Sequence, residues 1–293
     1  MPLVELSLHE GSTIRSSYKM GYMKIFFVFL SSLIIVSYAH GNEKTFIGST
    51  PANPVVRSFL GISLQDSVDF IRWKLVLLDD HYQLECNYGI GKPNTKGFIN
   101  NGRKVELRGK VEKEKYYLGL KNGARTLNIV ELNANLLHLL DADRRLLVGG
   151  GGWSYTLNNI SPLVTNEISI QAKQSPLKDS MVFDGRTPCG IPGVIPPGTL
   201  CYKLKWRIVL YAEKNGPGSY KALGTAWRKE NGRTGTWNIS TGKDGRIIYQ
   251  LNDEKGNAIL YLLKVDENIL LFTDANGNLL TGDEDFSYTL NRR

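Results

Sequence analysis

One stretch of the chain occurs twice, and nothing else in the sequence constrains the fold as strongly. Residues 136–158 read LLHLLDADRRLLVGGGGWSYTLN, and residues 269–291 read ILLFTDANGNLLTGDEDFSYTLN. Aligned without a gap, 11 of 23 positions are identical, at an offset of 133 residues. Each copy ends in an aromatic residue followed by Ser-Tyr-Thr-Leu-Asn: Trp153 precedes Ser154–Asn158, and Phe286 precedes Ser287–Asn291. A length of 293 residues suggests two ordinary domains. The repeat makes them a tandem duplication of one unit.

That unit is β-rich. Tyr202, Leu204, Trp206, Ile208 and Leu210 alternate with Lys203, Lys205, Arg207, Val209 and Tyr211. In the first copy Ile71, Trp73, Leu75 and Leu77 alternate with Arg72, Lys74, Val76 and Leu78. A period of two turns one face inward, and that face carries a tryptophan in both copies. Short β segments follow, separated by turns such as Asn231-Gly232, Asp244-Gly245 and Asn276-Gly277. Glycine there supplies the positive φ of tight hairpins. The expected fold is all-β: two tandem small antiparallel β-barrels of about eight strands each. Closure removes the edges that so many short strands would expose.

The expected boundaries are a non-structural start over 1–41, a lead-in arm over 42–58, one barrel over 59–160, a linker over 161–182 and a second barrel over 183–293. The start carries Met23-Lys24, the apolar run IFFVFLSSLIIV, and a small-x-small exit at Ala39-His40-Gly41. That is the pattern of a secretory signal peptide, so export to the periplasm or outside is expected. The run is too short for a stable membrane span after cleavage.

Removing three basic and two acidic residues from the formal net charge of +8 leaves +7 over 42–293, shared almost evenly by the two halves. An even, mild excess offers no basic face of the kind nucleic acid needs. Of three cysteines, Cys189 and Cys201 flank a Pro/Gly loop and are placed to pair there, leaving Cys86 buried or free.

The chemical motifs are weak. Asp274–Asp285 imitates a calcium loop, but Leu279 stands where the turn glycine belongs. The run Gly149–Gly152 leads into a strand and not a helix, so a β-turn fits better than a phosphate cradle. His81, His138 and Cys86 form a copper or zinc set only if the fold brings them together. No nucleophile, base and orienter can be assembled, and a hydrolase would need converging carboxylates from turns such as Asp79/Asp80 or Asp283/Asp285. The second copy is rich in aromatics. Trp206, Trp227, Trp237, Tyr220 and Tyr249 either fill a small barrel or line an apolar pocket.

The second copy also carries an ordered set of segments: Phe183-x-Gly185-x-x-Pro188-Cys189, Leu204–Tyr211, Tyr220-Lys-Ala-Leu, Gly235-Thr-Trp237, Ile247–Leu251, Leu270–Asn278 and Tyr288-Thr-Leu290-Asn-Arg292. That order resembles the N-terminal domain of the NlpE family of bacterial envelope proteins. The resemblance implies a small lipocalin-like barrel, a role in copper tolerance or envelope-stress sensing, and a metal-ligand role for Cys189. It departs from the family in the eleven residues between Cys189 and Cys201 and in lacking a lipid-attachment cysteine. The expected function is therefore a non-enzymatic, exported ligand-binding or sensing module. Its expected partners are an envelope protein or a small apolar ligand carried in the second barrel. No cofactor is expected beyond possible copper.

Overall fold

A computed structural model describes residues 43–293, apart from 166, 170–175, 197–198, 215, 229–230 and 243–244. The signal peptide expected over 1–41 lies outside the described residues. Two closed eight-stranded antiparallel barrels follow one another along the chain. The first contains β1 (Lys44–Pro51), β2 (Phe70–Leu77), β3 (His81–Gly89), β4 (Arg103–Glu114), β5 (Tyr117–Asn122), β6 (Arg125–Asn133), β7 (Leu136–Leu139) and β8 (Thr156–Asn159). The second contains β9 (Ser180–Thr187), β10 (Leu204–Glu213), β11 (Gly216–Gly224), β12 (Arg233–Thr241), β13 (Ile247–Asn252), β14 (Ala258–Lys264), β15 (Ile269–Thr273) and β16 (Thr289–Arg292). Each is an up-and-down meander whose last strand pairs with its first, β8 with β1 and β16 with β9.

Two expected boundaries are corrected. Residues 44–51, assigned to a lead-in arm, are the strand that closes the first barrel. The match to the second copy lies at Phe46-x-Gly48 against Phe183-x-Gly185, so the first barrel begins before residue 59. The polar, proline-bearing context hid it: Pro51 ends the strand, and Pro54 starts the helix α1 (Pro54–Leu60) at the position where a missing N–H costs nothing. Asn53 caps α1 by accepting from Val55 N at 2.8 Å, and Gly61 ends it at φ 74°. The linker likewise yields its last residues, since β9 begins at Ser180.

The duplication is visible atom by atom. Trp73 and Trp206 are both buried on the inward face, and each indole N–H donates to a threonine on the first strand of its own barrel, Thr50 at 2.9 Å and Thr187 at 2.8 Å. Gly48 and Gly185 sit where the first and last strands meet. A methyl group there would lie 3.1 Å from Thr156 O in one barrel and 2.7 Å from Thr289 O in the other. Asn231 and Gly232 both take positive φ in the Asn-Gly turn that leads into β12.

The barrels abut along the repeated stretch. Ser154, Thr156 and Asn158 point away from their own barrel core while Tyr155 and Leu157 are buried in it. The second copy repeats this with Ser287, Thr289 and Asn291 outward and Tyr288 and Leu290 inward. Between the barrels lies an apolar cluster of Val130, Leu132, Leu136 and Leu140 against Leu263, Val265, Ile269, Leu271 and Leu279. Among the described residues no helix is long and apolar enough to cross a membrane.

Candidate functional site

Polar atoms at the barrel junction obey a local two-fold relation. Gly149 N donates to Asn291 Oδ1 at 2.7 Å, and 133 residues away Gly282 N donates to Asn158 Oδ1 at 2.9 Å. The hydroxyls of Ser154 and Ser287, themselves repeat partners, lie 2.6 Å apart, and Thr289 Oγ1 donates to its partner Thr156 Oγ1 at 3.0 Å.

His138 ends this chain. Its Nε2 faces the carbonyl of Leu147 at 2.9 Å, which only accepts, so that nitrogen carries the proton. Its Nδ1 therefore accepts from Thr156 Oγ1 at 3.0 Å. Proton direction is then fixed from Ser287 through Thr289 and Thr156 to the imidazole. Burial pushes the His138 pKa down to about 4, so the ring is neutral at pH 7. In the second copy Leu271 takes the same place.

Beside the junction opens a cleft of about 730 Å³. One wall is the four-glycine run Gly149–Gly152 with Trp153, and the other is β9, β10 and the segment Asn291–Arg293. The antiparallel register sets Arg186 opposite Lys205 and Asp184 opposite Arg207. Arg207 holds Asp184 through two bonds of 2.8 Å, and Arg293 approaches the same carboxylate at 3.8 Å. Arg292 turns to Glu267. Arg186 lies 4.9 Å over the Trp153 ring, and burial lowers its pKa. Trp153 in turn stacks on Phe70 at 4.9 Å, and Phe70 stacks on Phe98 at 4.2 Å. A side-chain carbon on Gly152 would come within 2.5 Å of the Arg186 stem, so glycine is what lets the arginine lie there.

The aromatic residues expected around a pocket are packed on one another. Trp206 lies 5.4 Å from Trp227 and 5.1 Å from Phe272, and Trp237 lies 5.0 Å from Tyr249. Tyr220 is buried in the same cluster, and burial pushes the Tyr220 and Tyr249 pKa values up to about 12. Cys189 is bonded to Cys201, as their loop position suggests, so Cys189 keeps no thiolate for a metal. Cys86 is buried with its pKa raised by desolvation, His81 is exposed beside Asp80, and both nitrogens of His138 are engaged. His81, His138 and Cys86 therefore do not gather as a metal-binding set. Among the described residues no three His, Cys, Asp or Glu side chains gather as metal ligands.

Of the acids considered for hydrolysis, Asp79 and Asp80 are exposed, with Asp80 paired to His81, and Asp283 and Asp285 are committed. Asp283 accepts from the backbone N–H groups of Asp285 and Phe286, and Asp285 lies between Arg72 and Lys96. Asp274 closes its own turn on Asn276 N and Asn278 N, and Asp141 does the same with Asp143 N and Arg145 N.

Sequence reasoning missed both the cleft and the junction. The usable signal was the identity of Ser, Thr and Asn between the two copies, since a solvated face has no need to keep the same polar residues. No protein-family model matches the chain, and comparisons with curated proteins and with solved structures gave no match.

Proposed function

We propose that the chain is a non-enzymatic, exported binding module whose ligand site is the cleft at the barrel junction, not the interior of either barrel. One observation carries this reading. The interiors are occupied by interlocking side chains, with Trp206 held between Trp227 and Phe272, while the junction offers an open volume of about 730 Å³ lined by arginine, lysine and an aromatic ring. The glycine run gives that wall a backbone free of side chains. The order of motifs shared with the NlpE family supports an envelope setting. A role in copper response would require a site other than Cys189, whose sulfur is bonded.

The test is hydrogen exchange with and without a panel of small acids, sugars and apolar probes. Slowed exchange confined to Gly149–Trp153 and the facing parts of β9 and β10 supports the cleft. Slowed exchange around Tyr220, Tyr249 and Trp237 on adding apolar probes would instead return the site to the barrel interior.

A further inference from the structure

The two-fold relation at the junction places a second, already occupied version of the cleft on the opposite side. There Asp285, only 5% exposed, is clamped by Arg72 at 2.6 Å and Lys96 at 2.5 Å. Hydrogen bonding to Asp285 raises the Lys96 pKa. In the repeat, Gly152 takes the position of Asp285 and Lys205 takes that of Arg72. On the first strand of each barrel, Arg186 stands where the other has Ser49, as the Gly48 and Gly185 equivalence requires.

One side therefore has two cations with a carboxylate between them. The other has two cations, a glycine and an open cleft. Arg186 and Lys205 face each other across adjacent strands, an arrangement of like charges that costs stability. Among the described residues no carboxylate lies within 4.0 Å of either. Both add to the positive field that lowers the pKa of nearby Lys203, after desolvation. Arg186 gains its contact with Trp153, but setting the two cations opposite each other adds nothing favourable to folding.

Resting on the reading of the cleft as the ligand site, we propose that it binds a carboxylate-bearing ligand. The carboxylate sits between Arg186 and Lys205 as that of Asp285 sits between Arg72 and Lys96. The Arg186 guanidinium lies 4.9 Å over the Trp153 ring, and a guanidinium can make paired bonds to a planar carboxylate. The source is either a small organic acid or an acidic peptide side chain, which share this group.

Calorimetric titration of the full chain tests it with four titrants: succinate, a capped peptide with one aspartate, neutral succinamide and inorganic phosphate. Saturable binding of succinate or of the peptide, with none of succinamide, is the expected result, and the tighter of the two names the source. Arg186→Ala should weaken that binding on the order of tenfold, the value of one or two charge-assisted hydrogen bonds. Lys205→Glu places a carboxylate opposite Arg186, so it should abolish binding while raising Tm. A merely structural lysine would not give that combination. Binding of phosphate but of neither carboxylate would overturn the ligand class and leave the cleft standing. Carboxylate binding unchanged in both variants, or a Tm lowered by Lys205→Glu, would overturn the proposal. Failure of every titrant to bind would overturn the carboxylate proposal, while the hydrogen-exchange panel above decides the cleft reading separately.

Discussion

The two barrels share their strand order, their buried tryptophan with its threonine partner and their closing glycine, yet each is finished differently after its first strand. In the first barrel, β1 runs into the helix α1, which buries Val56, Phe59 and Leu60. In the second, β9 runs into a loop tied by Cys189–Cys201, which buries Ile191. A copied barrel tolerates either solution because the requirement is only to cover apolar residues at one end. The junction tolerates less. Ser154 and Thr156 recur unchanged as Ser287 and Thr289 because the members of each pair are hydrogen-bonded to one another, and Asn158 recurs as Asn291 because each accepts from a glycine N–H of the other copy, Gly282 and Gly149. A change in one copy would strand the other's polar group.

The largest effect expected is at the shared tryptophan. Trp73→Ala and Trp206→Ala should each cost about 3–5 kcal/mol in urea unfolding. Loss at only one of the two would break the equivalence of the barrels. Next comes the cap. Replacing both Cys189 and Cys201 by serine should cost about 3 kcal/mol on the loop-entropy account. Because the two barrels open as one unit, the loss should appear as faster hydrogen exchange in the core strands of β1–β8 as well as β9–β16, and acceleration confined to β9–β16 would show that the barrels open separately.

His138 separates the copies by titration. Its folded pKa, about 4, lies below the ordinary value of 6.5. The unfolded chain therefore takes up a proton first. The stability present above pH 6.5 is lost as pH falls toward 4, by up to about 3 kcal/mol. His138→Leu, which installs the residue found at 271, should flatten this part of the pH profile. A profile unchanged by that substitution would show that the ring is not buried neutral. Smallest is the bond between the repeat partners. A double-mutant cycle with Thr156→Val and Thr289→Val should return a coupling of about 1 kcal/mol, and zero coupling would mean that the hydroxyls do not meet.

Much of the fold was legible because alternation is local. Ile71–Leu77 and Leu204–Leu210 announce their buried faces, although Tyr202, expected on the same inward face, lies before the strand and is exposed, and Asn231-Gly232 announces its turn. The strand Lys44–Pro51 was not legible, since only Phe46 and Ile47 stand out among small and polar residues and closure depends on a partner more than 100 residues away. The junction was illegible for a different reason. Ser, Thr and Asn at alternate positions look like a wet face until a second barrel covers them. The cleft gathers Trp153, Arg186 and Lys205 from separate segments, and no spacing in the chain records that meeting.

The central claim is that the repeated Ser-Tyr-Thr-Leu-Asn segments fasten two barrels into one cooperative unit. Calorimetry of the full chain and of Ser154→Asp tests it most directly, because that carboxylate would be buried against Ser287, whose hydroxyl already donates to Thr289. The account predicts one two-state transition in the unaltered chain and two separated transitions in the variant. Two transitions in the unaltered chain, or a variant that melts as it does, would contradict it.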